Sequence, residues 1–141
     1  MRSKNSVKIL LVDDDSIDRE LFKEAVKESE FPITVEEFIN GKELLSYLKT
    51  CSQYPDIIFL DLNMPIMDGR ETLDVLKKSE KLRVIPVFIL STSSSQQDIY
   101  ESYQNGANLF LVKPPNFDSL ARTVKSIFEL METTLYTVEL V

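Results

Sequence analysis

Five short runs rich in Val, Ile, Leu and Phe recur along the chain, at positions 7–12, 34–39, 57–60, 87–90 and 109–112. The segments between them carry apolar residues at helical spacing, which is the pattern of repeated βα units. Three of the runs, Ile9-Leu10-Leu11-Val12, Ile57-Ile58-Phe59-Leu60 and Val87-Phe88-Ile89-Leu90, have no polar interruption. A strand with one wet face alternates, whereas a strand covered by helices on both faces does not, so these runs predict a parallel sheet between two helical layers. A first helix is expected from Ser16, with Ile17, Leu21, Phe22, Ala25 and Val26 on one face and Pro32 ending the region. A second follows Asn40-Gly41 with Leu44, Leu45 and Leu48 inward, and a third follows Gly69 with Leu73 and Leu76 inward. The last, about 117–131, carries Leu120, Val124, Ile127, Phe128 and Met131 on its apolar stripe. All three glycines fall at these boundaries, Gly41 and Gly69 before helices and Gly106 where a C-terminal cap is wanted. The expected fold class is α/β, a doubly wound five-stranded parallel sheet, which binds ligands at the carboxyl ends of its strands.

On that scheme the acidic residues are not scattered. Asp13-Asp14-Asp15 directly follows the first strand and Asp61 directly follows the third, and both ends open onto the same face. Ionised carboxylates 5 Å apart repel by roughly 3 kcal/mol at an effective dielectric of 20, so such a cluster calls for a cation. An alternative is that the three aspartates only cap the first helix. Capping accounts for one of them, best Asp15, but not for three after a buried strand and a fourth at the next strand end.

Composition narrows the chemistry. With no histidine in 141 residues, imidazole acid–base catalysis, Ser-His-Asp triads and imidazole metal sites are excluded, and any metal must be held by oxygen. The formal charge of −7 argues against nucleic acid as a partner. No apolar run approaches the roughly 20 residues of a membrane span, so no membrane partner is expected and the location is read as cytoplasmic. Cys51 is the single cysteine, so no intramolecular disulfide is possible.

The motifs LLVDDD at 10–15, LDLNMPIMDG at 60–69, PVFILST at 86–92 and GANLFLVKPP at 106–115 resemble those of response-regulator receiver domains, from Val7 to about Met131. Order and spacing agree as well, with 30 positions from Asp61 to Ser91 and 22 from Ser91 to Lys113. The resemblance implies a flavodoxin-like strand order 2-1-3-4-5 and makes Asp61 the acceptor of a phosphoryl group from the phosphohistidine of a histidine kinase. It places magnesium, Mg²⁺, with Mn²⁺ as a substitute, on the carboxylates of Asp14 and Asp61 and the backbone carbonyl of Asn63, with Asp13 reached through a water. Lys113 becomes the cation that pairs with Asp61, Ser91 the hydroxyl that meets the phosphoryl group, and Phe110 the switch aromatic. Pro114 becomes a cis-proline. Outside the resemblance, Lys113 reads as a surface lysine, Ser91 as one of a serine-rich loop, and Phe110 as a fixed core residue.

An aspartyl-phosphate hydrolase shares the Asp nucleophile but needs a second aspartate two positions on, where this chain has Asn63. The chain is therefore read as a phosphoacceptor protein rather than an enzyme acting on small substrates. A flavin protein would need a phosphate-cradling loop after the first strand, which is absent. The competing function is a phosphorylation-independent binding module on the same fold. Residues 1–134 are read as one receiver domain, and 135–141 as an apolar tail with no output domain. The implied partners are a sensor histidine kinase or phosphotransfer protein and a downstream protein target. SYQNGANLFLVKP and the terminal LYTVELV resemble stand-alone regulators paired with phytochrome-type or hybrid kinases. Alternation through Tyr136, Val138 and Leu140 suggests a strand with one buried face, hence a possible homodimer.

Overall fold

The computed structural model describes residues 6–133. Ten elements alternate along the chain: β1 (Val7–Val12), α1 (Ser16–Ser29), β2 (Ile33–Phe38), α2 (Gly41–Thr50) and β3 (Ile57–Leu60), then α3 (Gly69–Lys78), β4 (Val87–Ser91), α4 (Gln96–Gln104), β5 (Leu109–Val112) and α5 (Phe117–Thr133). The strands form one parallel sheet in the order β2-β1-β3-β4-β5. This is the expected α/β architecture.

Strand side chains alternate between two cores, as a pleat with period two requires. Ile9, Leu11, Ile57, Phe59, Phe88 and Leu90 face α1 and α5, where Phe22, Ala25, Val124 and Phe128 meet them. Leu10, Val12, Ile58, Leu60, Val87 and Ile89 face the other layer, against Leu44 and Leu48 of α2 and Leu73 and Leu76 of α3. Uninterrupted apolar strands are thus explained: both faces are dry.

Two expectations shift, and one helix has no pattern to announce it. β2 runs one residue earlier than 34–39, because the Ile39 N–H turns to Glu43 Oε1 while Asn40 caps α2 through the Glu43 N–H, a reciprocal cap that takes Ile39 out of the ladder. Ile17 and Leu21, expected inward, are 69% and 39% exposed, because the first turns of α1 stand beyond the sheet and burial begins at Phe22. α4 has no apolar stripe at all. Its one buried residue is Ser102, and Tyr100 and Tyr103 face solvent.

Gly69 fixes the approach of α3 to the end of β3. A Cβ there would lie 2.1 Å from the Asp61 carbonyl oxygen and 2.7 Å from the Leu62 Cα, so only glycine lets the helix start there. Gly69→Ala is expected to cost about 1–3 kcal/mol or more, since the atoms in the way are backbone. Chemical denaturation measures this, and an unchanged midpoint would contradict it.

Candidate functional site

Backbone hydrogen bonds bring the strand ends to one rim. The Asp13 N–H donates to the Phe38 carbonyl at 3.0 Å and the Asp61 N–H to the Val12 carbonyl at 2.9 Å. The guanidinium of Arg19 donates to the Asp13 carbonyl at 2.8 Å. Beyond this rim Asp13, Asp14 and Asp61 each offer a carboxylate oxygen, all within 4.8 Å of one another. Asp13 and Asp61 are buried, and Asp14 is exposed. Asp15 takes the capping role, accepting from the N–H groups of Ile17 and Asp18.

Lys113, at the end of β5, closes the pocket. Its ammonium donates to Asp13 Oδ2 at 2.9 Å and to Asp18 Oδ2 at 2.7 Å, and lies 3.6 Å from Asp61 Oδ2. Burial works to lower its pKa, but the bonds to Asp13 and Asp18 outweigh it and hold the group above its ordinary value. For Asp61 burial wins: its pKa is raised to about 6, with Asp13 adding to the rise and Lys113 and the backbone N–H groups of Asn63 and Leu62 opposing it. A carboxyl raised by burial beside a lysine ammonium, at a strand-end pocket, is a pattern that marks sites of chemistry.

A second polar chain links the loops after β3 and β4. Arg70, in the first turn of α3, donates to Asn63 Oδ1 at 3.3 Å and to Asp98 Oδ1 at 3.1 Å. Asp98 Oδ2 accepts from the Ser93 hydroxyl at 2.7 Å, and the Ser93 N–H donates to Ser91 Oγ at 3.2 Å. These bonds hold the Asp98 carboxyl below its ordinary pKa, the one to Ser93 most. Ser91 itself is fully buried, and its carbonyl accepts from the Lys113 N–H at 2.7 Å. Accepting from Ser93 leaves the Ser91 hydroxyl proton free to donate elsewhere. Phe110 is half-buried against the α2–α3 core, and its N–H donates to the Tyr103 hydroxyl at 2.9 Å.

One expectation fails. Among the described residues no peptide bond is cis, so Lys113–Pro114 is trans. X-Pro bonds retain a trans preference of about 0.5–1 kcal/mol, and Lys113 reaches the carboxylates without a reversed turn. In contrast, Ile66 in the loop after β3 has φ 69°, a region that a β-branched residue enters only under strain. The Met67 N–H donating to the Pro65 carbonyl at 2.7 Å closes a tight turn around it. Nothing in the sequence announced this, because Ile is among the least suited residues there.

Asp18, Arg19, Arg70, Ser93 and Asp98 also escaped the sequence reading. Charged residues in a first helical turn look like ordinary solvated caps. One signal was available: Ser95 followed three residues later by Asp98 is a helix-start pattern, and Ser95 does cap α4.

Residues 9–125 match the family described as response regulator receiver domain. The chain belongs to that family. As a receiver domain it is 39% identical over 125 residues to the probable methanogenesis regulatory protein FilR2 of Methanothrix harundinacea, covering 86% of this chain and 81% of the relative. It is 35% identical over 124 residues to the response regulator Rcp1 of Synechocystis, covering 84% of each. Among solved structures, the phosphorylated cyanobacterial phytochrome response regulator RcpA superposes on this receiver domain with a TM-score of 0.85, at 38% identity, over 92% of this chain and 96% of that one. The Mn²⁺-bound form of Rcp1 superposes with a TM-score of 0.78 at 34% identity, over 86% of this chain and 91% of that one. Among the described residues of the receiver domain, no helix is long and apolar enough to cross a membrane.

Proposed function

We propose that the protein is a two-component response regulator or phosphorelay intermediate in which Asp61 accepts a phosphoryl group from the phosphohistidine of a sensor histidine kinase or a phosphotransfer protein. The observation that carries this reading is the pocket itself: a buried Asp61 clustered with Asp13 and Asp14, with the Lys113 ammonium reaching both Asp13 and Asp61.

The donor set fits a hard divalent cation. All three side chains offer oxygens, and these lie within 4.8 Å of one another, near enough for one oxygen-ligated ion to engage them directly or through a water. Asp14 and Asp61 would hold Mg²⁺, or Mn²⁺, through carboxylates and Asn63 through its backbone carbonyl, with Asp13 joined through a water. When bound, the ion offsets the charge gathered on the phosphoryl oxygens. The Mn²⁺-bound Rcp1 and the phosphorylated RcpA support both halves of this assignment.

The chain's own groups do the rest. With a pKa of about 6, Asp61 is mostly ionised at neutral pH and supplies the attacking oxygen. An O–P bond forms as the P–N bond to the donor imidazole breaks. Lys113 stays protonated and offers a positive charge to the new phosphoryl group. Labelling with acetyl phosphate or a cognate kinase tests the reading: incorporation is expected in the parent chain and in no Asp61→Asn sample, and equal incorporation in both would refute it.

The output is read as docking to a downstream protein in the cytoplasm. For the switch, Ser91 turns its free hydroxyl proton to the phosphoryl group, and the loop carrying Ser93 and Asp98 follows. Beryllofluoride is expected to shift amide resonances from Ser91 through Phe110. Shifts confined to residues around Asp13, Asp14 and Asp61 would instead make Phe110 a fixed core residue. The homodimer rests on the apolar tail 135–141, which lies outside the described residues. Sedimentation of the full chain against a version ending at Thr134 is expected to give a dimer and a monomer, and two monomers at micromolar concentration would dismiss it.

A further inference from the structure

The shortest contact of the Lys113 ammonium does not run to the acidic cluster. It runs to Asp18 Oδ2, at 2.7 Å, against 2.9 Å for Asp13 Oδ2 and 3.6 Å for Asp61 Oδ2. Asp18 is not needed to cap α1, because Asp15 does that and receives the Asp18 N–H. The ion pair sits at the lip of a cleft walled by Leu11, Leu21, Phe22, Leu90 and Phe117. With its stem against such a wall, the lysine head is placed by the carboxylates it can reach.

We propose that Asp18 is a positioning residue for Lys113, holding the ammonium on the α1 side of the pocket so that the Asp61 carboxylate stays open, and releasing it when a phosphoryl group arrives. This rests on the reading of Asp61 as the phosphoacceptor. An ammonium has three protons. Two are spent on Asp13 and Asp18, and the contact to Asp61 is longer than an ordinary hydrogen bond. Without the Asp18 charge, nothing holds the ammonium on the α1 side; it shifts toward Asp61, the next carboxylate within reach, and the cation lies where a divalent ion and an incoming phosphoryl group need access.

Asp18 therefore acts with opposite sign on two ligands. Its presence keeps the pocket more negative and Asp61 unblocked, which favours a cation. Its removal frees Lys113 and makes the pocket less negative, which favours a phosphoryl-like anion. A residue that merely supports the start of α1 would not separate the two.

The test uses the full chain, its Asp18→Asn and Asp18→Glu variants, and Glu20→Gln as a control for losing an α1 charge that does not touch Lys113. Calorimetric titration with Mg²⁺ alone is followed by titration with beryllofluoride at saturating Mg²⁺. Asp18→Asn is expected to weaken Mg²⁺ binding about threefold to tenfold and to tighten beryllofluoride by a similar factor. Asp18→Glu restores both affinities toward those of the parent, Glu20→Gln leaves them unchanged, and the Lys113 Nζ resonance moves in Asp18→Asn. Equal weakening of both ligands, or no change in either, in a chain whose parent binds both, overturns the inference alone. A parent that binds neither overturns the phosphoacceptor reading and this inference with it.

Discussion

In the presence of a chelator, the chain is expected to take up phosphoryl groups from acetyl phosphate about three orders of magnitude more slowly than in millimolar Mg²⁺. The reason is the charge already in the pocket. Asp13, Asp14 and Asp61 converge within 4.8 Å, and Lys113 is shared among Asp13, Asp18 and Asp61. An anionic donor meets repulsion of roughly 3 kcal/mol for each uncompensated carboxylate about 5 Å away, at an effective dielectric of 20. Several kcal/mol of offset charge is what a bound divalent cation contributes, and about 4 kcal/mol corresponds to the thousandfold change. Radiolabel incorporation with EDTA, Mg²⁺ and Mn²⁺ measures this directly. Equal rates in EDTA would mean that the carboxylates do not act through a metal.

Asp61→Asn is expected to be more stable than the parent chain in metal-free buffer at neutral pH, by about 2 kcal/mol. Burial raises the Asp61 pKa from 3.8 to about 6, so the folded protein holds a proton that the unfolded chain has already released between those values. Stability contributed by this group is therefore largest at low pH and falls as pH rises from about 4 to 6. Above that window the folded state bears the full cost of a buried carboxylate, at most about 3 kcal/mol for a rise of roughly two units. Asparagine keeps the shape and removes the charge. Its melting temperature is expected to exceed the parent's by roughly 5–10 °C at pH 7.5, with the gap closing toward pH 4 and narrowing when Mg²⁺ is added to the parent. A parent more stable than the variant at pH 7.5 would place Asp61 in a far less costly environment.

The parts of this molecule that were legible in its sequence are those set by burial. The strands of the sheet interior had to be apolar on both faces, so β1, β3 and β4 were announced by unbroken runs, and their C-terminal ends carried Asp13, Asp14, Asp61 and Ser91 into the reading with them. The last residue of β2 was misjudged because a cap, not a ladder, decides the fate of Ile39. α4 lacked a stripe because only Ser102 is buried, leaving Tyr100 and Tyr103 to give no helical period. Within the pocket, the missed groups share one property. Asp18, Arg70 and Asp98 are surface-type residues whose partners lie 95, 7 and 28, and 5 and 28 positions away. Periodicity is blind to such pairs.

The central claim, that Asp61 is the phosphoacceptor, is tested most directly by trapping the acyl phosphate with borohydride after labelling in Mg²⁺ and sequencing the modified peptide by mass spectrometry. The predicted result is a single reduced residue at Asp61, absent from unlabelled protein and from the Asp61→Asn variant. Modification at Asp13 or Asp14, or phosphoryl uptake without any modified carboxylate, would contradict it.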